Sequence, residues 1–126
     1  MKNKHESNQK IIFVYNAESG IANALLDYGK KYIQPDKYDC QLCMVTYGAL
    51  GMKKDWKGFV KSLPYPTRFL HKDEFLKQYR NKEITFPTVL LQKDNQLKVL
   101  LGAKDFANIN NLESLKQTLK QKLAVQ

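Results

Sequence analysis

The apolar and polar positions along this chain follow two rhythms, and together they divide most of it into strands and helices. Ile11, Ile12, Phe13, Val14 and Tyr15 form an unbroken apolar run, the mark of a strand covered on both faces in the middle of a sheet. Polar residues 16–20 end it. From Ile21 the positions Ala22, Leu25, Leu26, Tyr32 and Ile33 recur at helical spacing, and Pro35 closes that segment. Residues 44–47, with β-branched Val45 and Thr46, predict a second strand, and the Gly48-Ala49-Leu50-Gly51 connection leads out of it. In the helix predicted next, Met52, Trp56, Phe59, Val60 and Leu63 make one apolar stripe, while Lys53, Lys54, Lys57 and Lys61 share the opposite face. A short extended piece over 68–71 and a helical turn over 73–79 follow. Strands over 86–91 and 97–101 are predicted to pair antiparallel through the turn Lys93-Asp94-Asn95-Gln96. The last element is a helix striped by Leu112, Leu115, Leu119 and Leu123, with Asn110 as the expected N-cap and Glu113 three positions on.

Composition changes this picture little. The 126 residues suit one domain, expected over 11–126, and the 43% hydrophobic and 26% charged content is ordinary globular usage. Residues 1–10 lack large apolar positions after Met1 and are expected to be a disordered tail. They carry no apolar core of a signal peptide, and no run reaches the length of a membrane span, so the expected location is the cytoplasm. Charge is less evenly spread. Of the net +9, much lies in residues 51–82, where nine Lys or Arg stand against Asp55, Asp73 and Glu74. That region suits an anionic partner through Lys53, Lys54, Lys57 and Lys61, although no nucleic-acid motif accompanies it and a solvated lysine face is the plainer reading.

The element order is strand, helix, strand, helix, an insertion, a two-strand hairpin and a closing helix. It predicts an α/β fold, a mixed four- to five-stranded sheet with helices on both faces. This order, and above all Pro87-Thr88 before an apolar strand, the 93–96 turn, Gly102-Ala103 and the leucine-striped helix, resembles the thioredoxin and glutaredoxin fold. The likeness implies a thioredoxin-like protein in which Pro87 is a cis proline beside the active cysteines and the substrate. It also implies a reactive Cys-x-x-Cys at the start of the first helix, where this chain has Ser19-Gly20-Ile21-Ala22. Ser19 is then a helix cap, or a hydroxyl holding an anion or thiolate substrate at that helix end.

The segments 15–20, Asp39-Cys40-Gln41-Leu42-Cys43, Thr46-Tyr47-Gly48 and 70–75 are also similar to a group of small bacterial thioredoxin-like proteins, some of which carry the name GTPase. The chain has no Gly-x-x-x-x-Gly-Lys-Ser/Thr loop, and Gly29-Lys30-Lys31 falls at a predicted helix end that presents carbonyls to a phosphate.

Cys40 and Cys43 are the only cysteines, three apart. In a regular strand their side chains would point to opposite faces, so a working dithiol requires a turn or helical start between them. Three readings stand. In the first, Cys40 attacks and Cys43 resolves in thiol–disulfide exchange with protein thiols or disulfides, Lys37 favouring the thiolate. In the second, the pair holds zinc with His71 and an Asp or a second chain. In the third, both thiols fill the core. His71 with Asp73 and Glu74 is an acid–base candidate or a solvated strand end. No cofactor is implied.

Overall fold

The computed structural model describes residues 9–18, 40–48 and 51–125. Ser19, Lys37, the helix expected over 21–33 and residues 1–8 of the expected tail lie outside the described residues.

β1 (Gln9–Tyr15) is the strand that organises the fold. It begins two residues ahead of the expected run, with Gln9 opposite Lys93 and Lys10 opposite Gln92. Ile11, Ile12, Phe13 and Val14 are fully buried, which accounts for a strand with no polar alternation. Two-residue strands β2 (Tyr47–Gly48) and β3 (Gly51–Met52) pair antiparallel, with Tyr47 opposite Met52 and Gly48 opposite Gly51. The main sheet has the order β4 (Thr67–His71), β1, β5 (Thr88–Lys93), β6 (Gln96–Leu101). β4 is parallel to β1, while β5 is antiparallel to both β1 and β6, so the sheet is mixed.

Alternation along β1 feeds two cores. Ile11, Phe13 and Tyr15, with Val89, Leu91 and Leu101, face α1 (Gln41–Thr46), α2 (Lys54–Lys61) and α4 (Leu112–Ala124). Ile12, Val14, Leu70 and Leu90 face Phe75 of α3 (Lys72–Tyr79). Helices therefore cover both faces. Trp56 is fully buried, stacked on Phe59 and edge-on to Phe13, and Lys53, Lys54, Lys57 and Lys61 are exposed, as the stripe predicts, but the helix begins only at Lys54, with Lys53 as its cap and Met52 in β3. A bulge at Val89/Leu90 leaves Leu100 as an extra residue, which lets both Leu100 and Leu101 enter the core. Asp94 takes a positive φ of 56° in the β5–β6 turn, a conformation Asp tolerates better than most residues. Among the described residues no helix is long and apolar enough to cross a membrane.

Three further expectations are corrected. Residues 44–46 are not strand: they belong to α1, and only Tyr47 and Gly48 are extended. The Cys40 sulfur accepts the Cys43 amide and starts the helix, and the Thr46 hydroxyl donates to the Leu42 carbonyl at 2.6 Å, so β-branched Thr46 is satisfied within it. The parallel partner of β1 is instead β4, whose residues alone predict only a short extended piece. The cap of α4 is Asn111 rather than Asn110. Its side-chain oxygen accepts the Ser114 amide at 2.8 Å, and the 3₁₀ turn Asp105–Asn108 followed by buried Ile109 places the helix start one residue later.

Candidate functional site

Because β1 and β4 are parallel, Tyr15 and His71 finish at the same end of the sheet, and antiparallel β5 starts there at Thr88. The chain just beyond β1 meets the cysteines. Cys40 is the N-cap of α1, with extended φ and ψ of −142° and 91°, and Cys43 is the third helical residue. This helical start brings the two side chains to one side, with Cα atoms 5.3 Å apart, and they form a disulfide. The Cys40 sulfur accepts two backbone amides, from Cys43 at 3.2 Å and from Asn16 at 3.3 Å. Donors aimed at a sulfur favour its charged form once the bond is reduced. Both residues are buried, Cys40 at 1% and Cys43 at 3% exposure.

Gln41 follows Cys40, and its amide nitrogen donates to the Ile109 carbonyl at 2.6 Å, tying the first turn of α1 to the segment before α4. Gln41 also lines a cavity of about 360 Å³ with Phe86, Pro87, Ala103, Phe106 and Asn110. The Phe86–Pro87 bond is cis and Pro87 is buried. The residue next to Cys40 and the proline therefore share one wall, although 46 positions separate Gln41 from Pro87 in the sequence. Thr88, fully buried, donates its hydroxyl to the Leu101 carbonyl at 2.8 Å and fixes β5 just inside this end.

No protein-family model, curated protein or solved structure matches the chain.

His71 is brought to the same end, its ring 5.6 Å from that of Tyr15, and the Lys72 amide donates to the Ala17 carbonyl at 3.1 Å. Its partner is Glu74, whose carboxylate accepts the His71 backbone amide at 2.8 Å and meets the His71 ring nitrogen Nδ1 at 2.9 Å. The backbone donor, helped by the ring, holds the Glu74 carboxyl below the ordinary value near 4.5 against the opposing effect of burial. The pair thus closes the start of α3. Among the described residues no three His, Cys, Asp or Glu side chains are grouped to hold a metal ion. The sequence singles out both cysteines and Pro87 and offers Gln41 only as a polar residue permitting a turn between the cysteines; the Asn16 amide and the reach of Gln41 to Ile109 have no sign in it. A backbone donor has no side-chain signature, and Gln41 in isolation reads as a solvated polar residue.

Proposed function

We propose that the chain is a thioredoxin-like protein that carries out thiol–disulfide exchange through Cys40 and Cys43. The observation that carries this reading is the disulfide at a helix start, with two amide donors on the Cys40 sulfur. The mixed sheet, the β5–β6 hairpin, the closing helix and the shared cavity of Gln41 and Pro87 support it.

In the reducing direction the Cys40 thiolate attacks one sulfur of a substrate disulfide, forms a mixed disulfide and expels the other sulfur as a thiolate. The Cys43 thiolate then attacks the Cys40 sulfur, restoring the Cys40–Cys43 bond and releasing the second substrate thiolate. Two electrons pass to the substrate, whose thiolates take protons from solvent. Cys40 is assigned the attack because its sulfur receives both amides. At 1% exposure Cys40 must be uncovered first, which local opening of the first turn of the six-residue α1 would do.

The test is mass-resolved thiol alkylation of the full chain across glutathione buffers. One reversible two-electron transition is expected, with Cys43→Ser trapping a mixed disulfide at Cys40 and Cys40→Ser trapping far less at Cys43. If the native protein exchanges in no buffer and its cysteines react only on unfolding, the reading fails.

A further inference from the structure

A second cavity, of about 540 Å³, opens where the β2–β3 hairpin meets the start of α2, and no cysteine lines it. Its wall is made by Gly48, Met52, Lys53, Lys54 and Lys57, with Leu112 from the start of α4. The volume falls within the range of about 300–1,000 Å³ usual for small-molecule sites. Among the described residues Asp55 is the one acid on the wall, so the three lysines there give a local excess of positive charge. None of the three lysines takes part in the His71–Glu74 or the Lys116–Glu113 ion pair.

The glycines shape the opening. A Cβ at Gly48 would lie 3.8 Å from Cγ of Lys53, so the lysine stem runs close over the hairpin. Gly51, at φ +102°, has open space where a side chain would stand. Half-buried Met52 and Leu112 pack on the main core and give the cavity an apolar side. A bare inorganic ion would leave that side unused, and a neutral apolar compound would leave the lysines unpaired. Lys61, which shares the sequence-predicted basic face, is not on the wall, so the cavity and not the whole helix face selects the ligand.

From this combination we infer that the cavity binds a small organic anion, with its phosphate or carboxylate group against Lys53, Lys54 and Lys57 and its apolar body against Met52 and Leu112. This site is independent of the proposed redox reading, and either can fail alone.

The test is titration of the full chain with naphthyl phosphate and naphthoate, followed by heteronuclear NMR. Naphthol, inorganic phosphate and a short single-stranded DNA serve as comparisons. Either or both naphthyl anions should saturate one site, shifting Gly48, Gly51, Met52 and Leu112, about tenfold or more tighter than naphthol or inorganic phosphate. Which of them binds tighter distinguishes a phosphate ester from a carboxylate. The double variant Lys53→Gln, Lys57→Gln should weaken binding about tenfold, with its unfolding midpoint retained, and added salt should weaken it further. The control Lys98→Gln, Lys104→Gln should leave it unchanged. The inference is overturned if neither naphthyl anion saturates the site, if naphthol or inorganic phosphate binds as tightly, or if the lysine variant binds normally. It is overturned equally if the DNA binds in their place with shifts running along α2 to Lys61.

Discussion

Reducing the Cys40–Cys43 bond is the perturbation that separates an exchanging pair from a structural one, and its cost follows from two opposing terms. The bond closes a loop of only four residues, so the chain-entropy model gives it roughly 2 kcal/mol of stabilisation through the unfolded state. Against this stand the Asn16 and Cys43 amides on the Cys40 sulfur. A hydrogen bond to a charged acceptor is stronger than one to a neutral acceptor by about 1 kcal/mol, so two such donors give a reduced thiolate roughly 2 kcal/mol that the disulfide sulfur does not receive. The terms nearly cancel. Oxidised and reduced protein are therefore expected to unfold with free energies within about 1 kcal/mol of each other under conditions where Cys40 is a thiolate. Urea titrations with and without a phosphine reductant measure this directly. The single tryptophan, Trp56, reports unfolding from its buried place between Phe13 and Phe59. A reduced form less stable by about 2 kcal/mol or more would mean that the amides give the thiolate nothing and that the disulfide only braces the fold.

The hydrogen bond from Gln41 to the Ile109 carbonyl holds the first turn of α1. Gln41→Ala should cost about 0.5–1.5 kcal/mol there and speed reduction by excess dithiothreitol about two- to tenfold; an unchanged rate would move the barrier elsewhere. Thr88→Val keeps the shape but removes the donor to the Leu101 carbonyl, and a loss of about 1–2 kcal/mol is expected in urea unfolding. Glu74 is held below its ordinary value, so its stabilising effect is full above about pH 4.5 and fades as pH falls through the lower folded value. Glu74→Gln should therefore be less stable than wild type at neutral pH, with the gap closing in acid; unfolding midpoints measured over that range check the sign.

The elements that sequence made legible are those whose pattern is long and uniform. Five consecutive apolar residues in β1, the hairpin turn 93–96 and the leucine stripe of α4 each repeat one signal often enough to decide it. α1 does not. Six residues cover less than two turns, Val45 and Thr46 favour strands, and the deciding contact is a cysteine sulfur capping its own helix. β4 fails for a different reason. As an edge strand it keeps Thr67, Arg68 and Phe69 half-exposed and buries only Leu70, so its identity comes from pairing with β1. In the site, the Cys-x-x-Cys spacing was visible and its surroundings were not, because the Asn16 amide lies 24 positions from the sulfur that it meets.

That separation bears on how the proposed chemistry relates to chain order. The resemblance directs attention to residues 19–22, directly after the first strand, where there is no cysteine. Exchange, however, needs no fixed position in the sequence; it needs a dithiol at a helix start, amide donors on the attacking sulfur and a wall where a substrate chain can lie. In open α/β sheets the carboxyl ends of parallel strands commonly provide such a place, since loops leave the sheet there and helix starts point back towards it. Here β1 and β4 end together, β5 begins beside them, and Asn16, Cys40, His71 and Pro87 follow from that geometry. A pair that enters the fold some twenty residues late can still occupy the end of β1, because the Asn16 amide reaches it through space. On the proposed reading, substitutions that move the end of β1 relative to α1, and with it the Asn16 amide, should slow exchange with a substrate disulfide; an unchanged rate would mean that this amide does not serve the attacking sulfur.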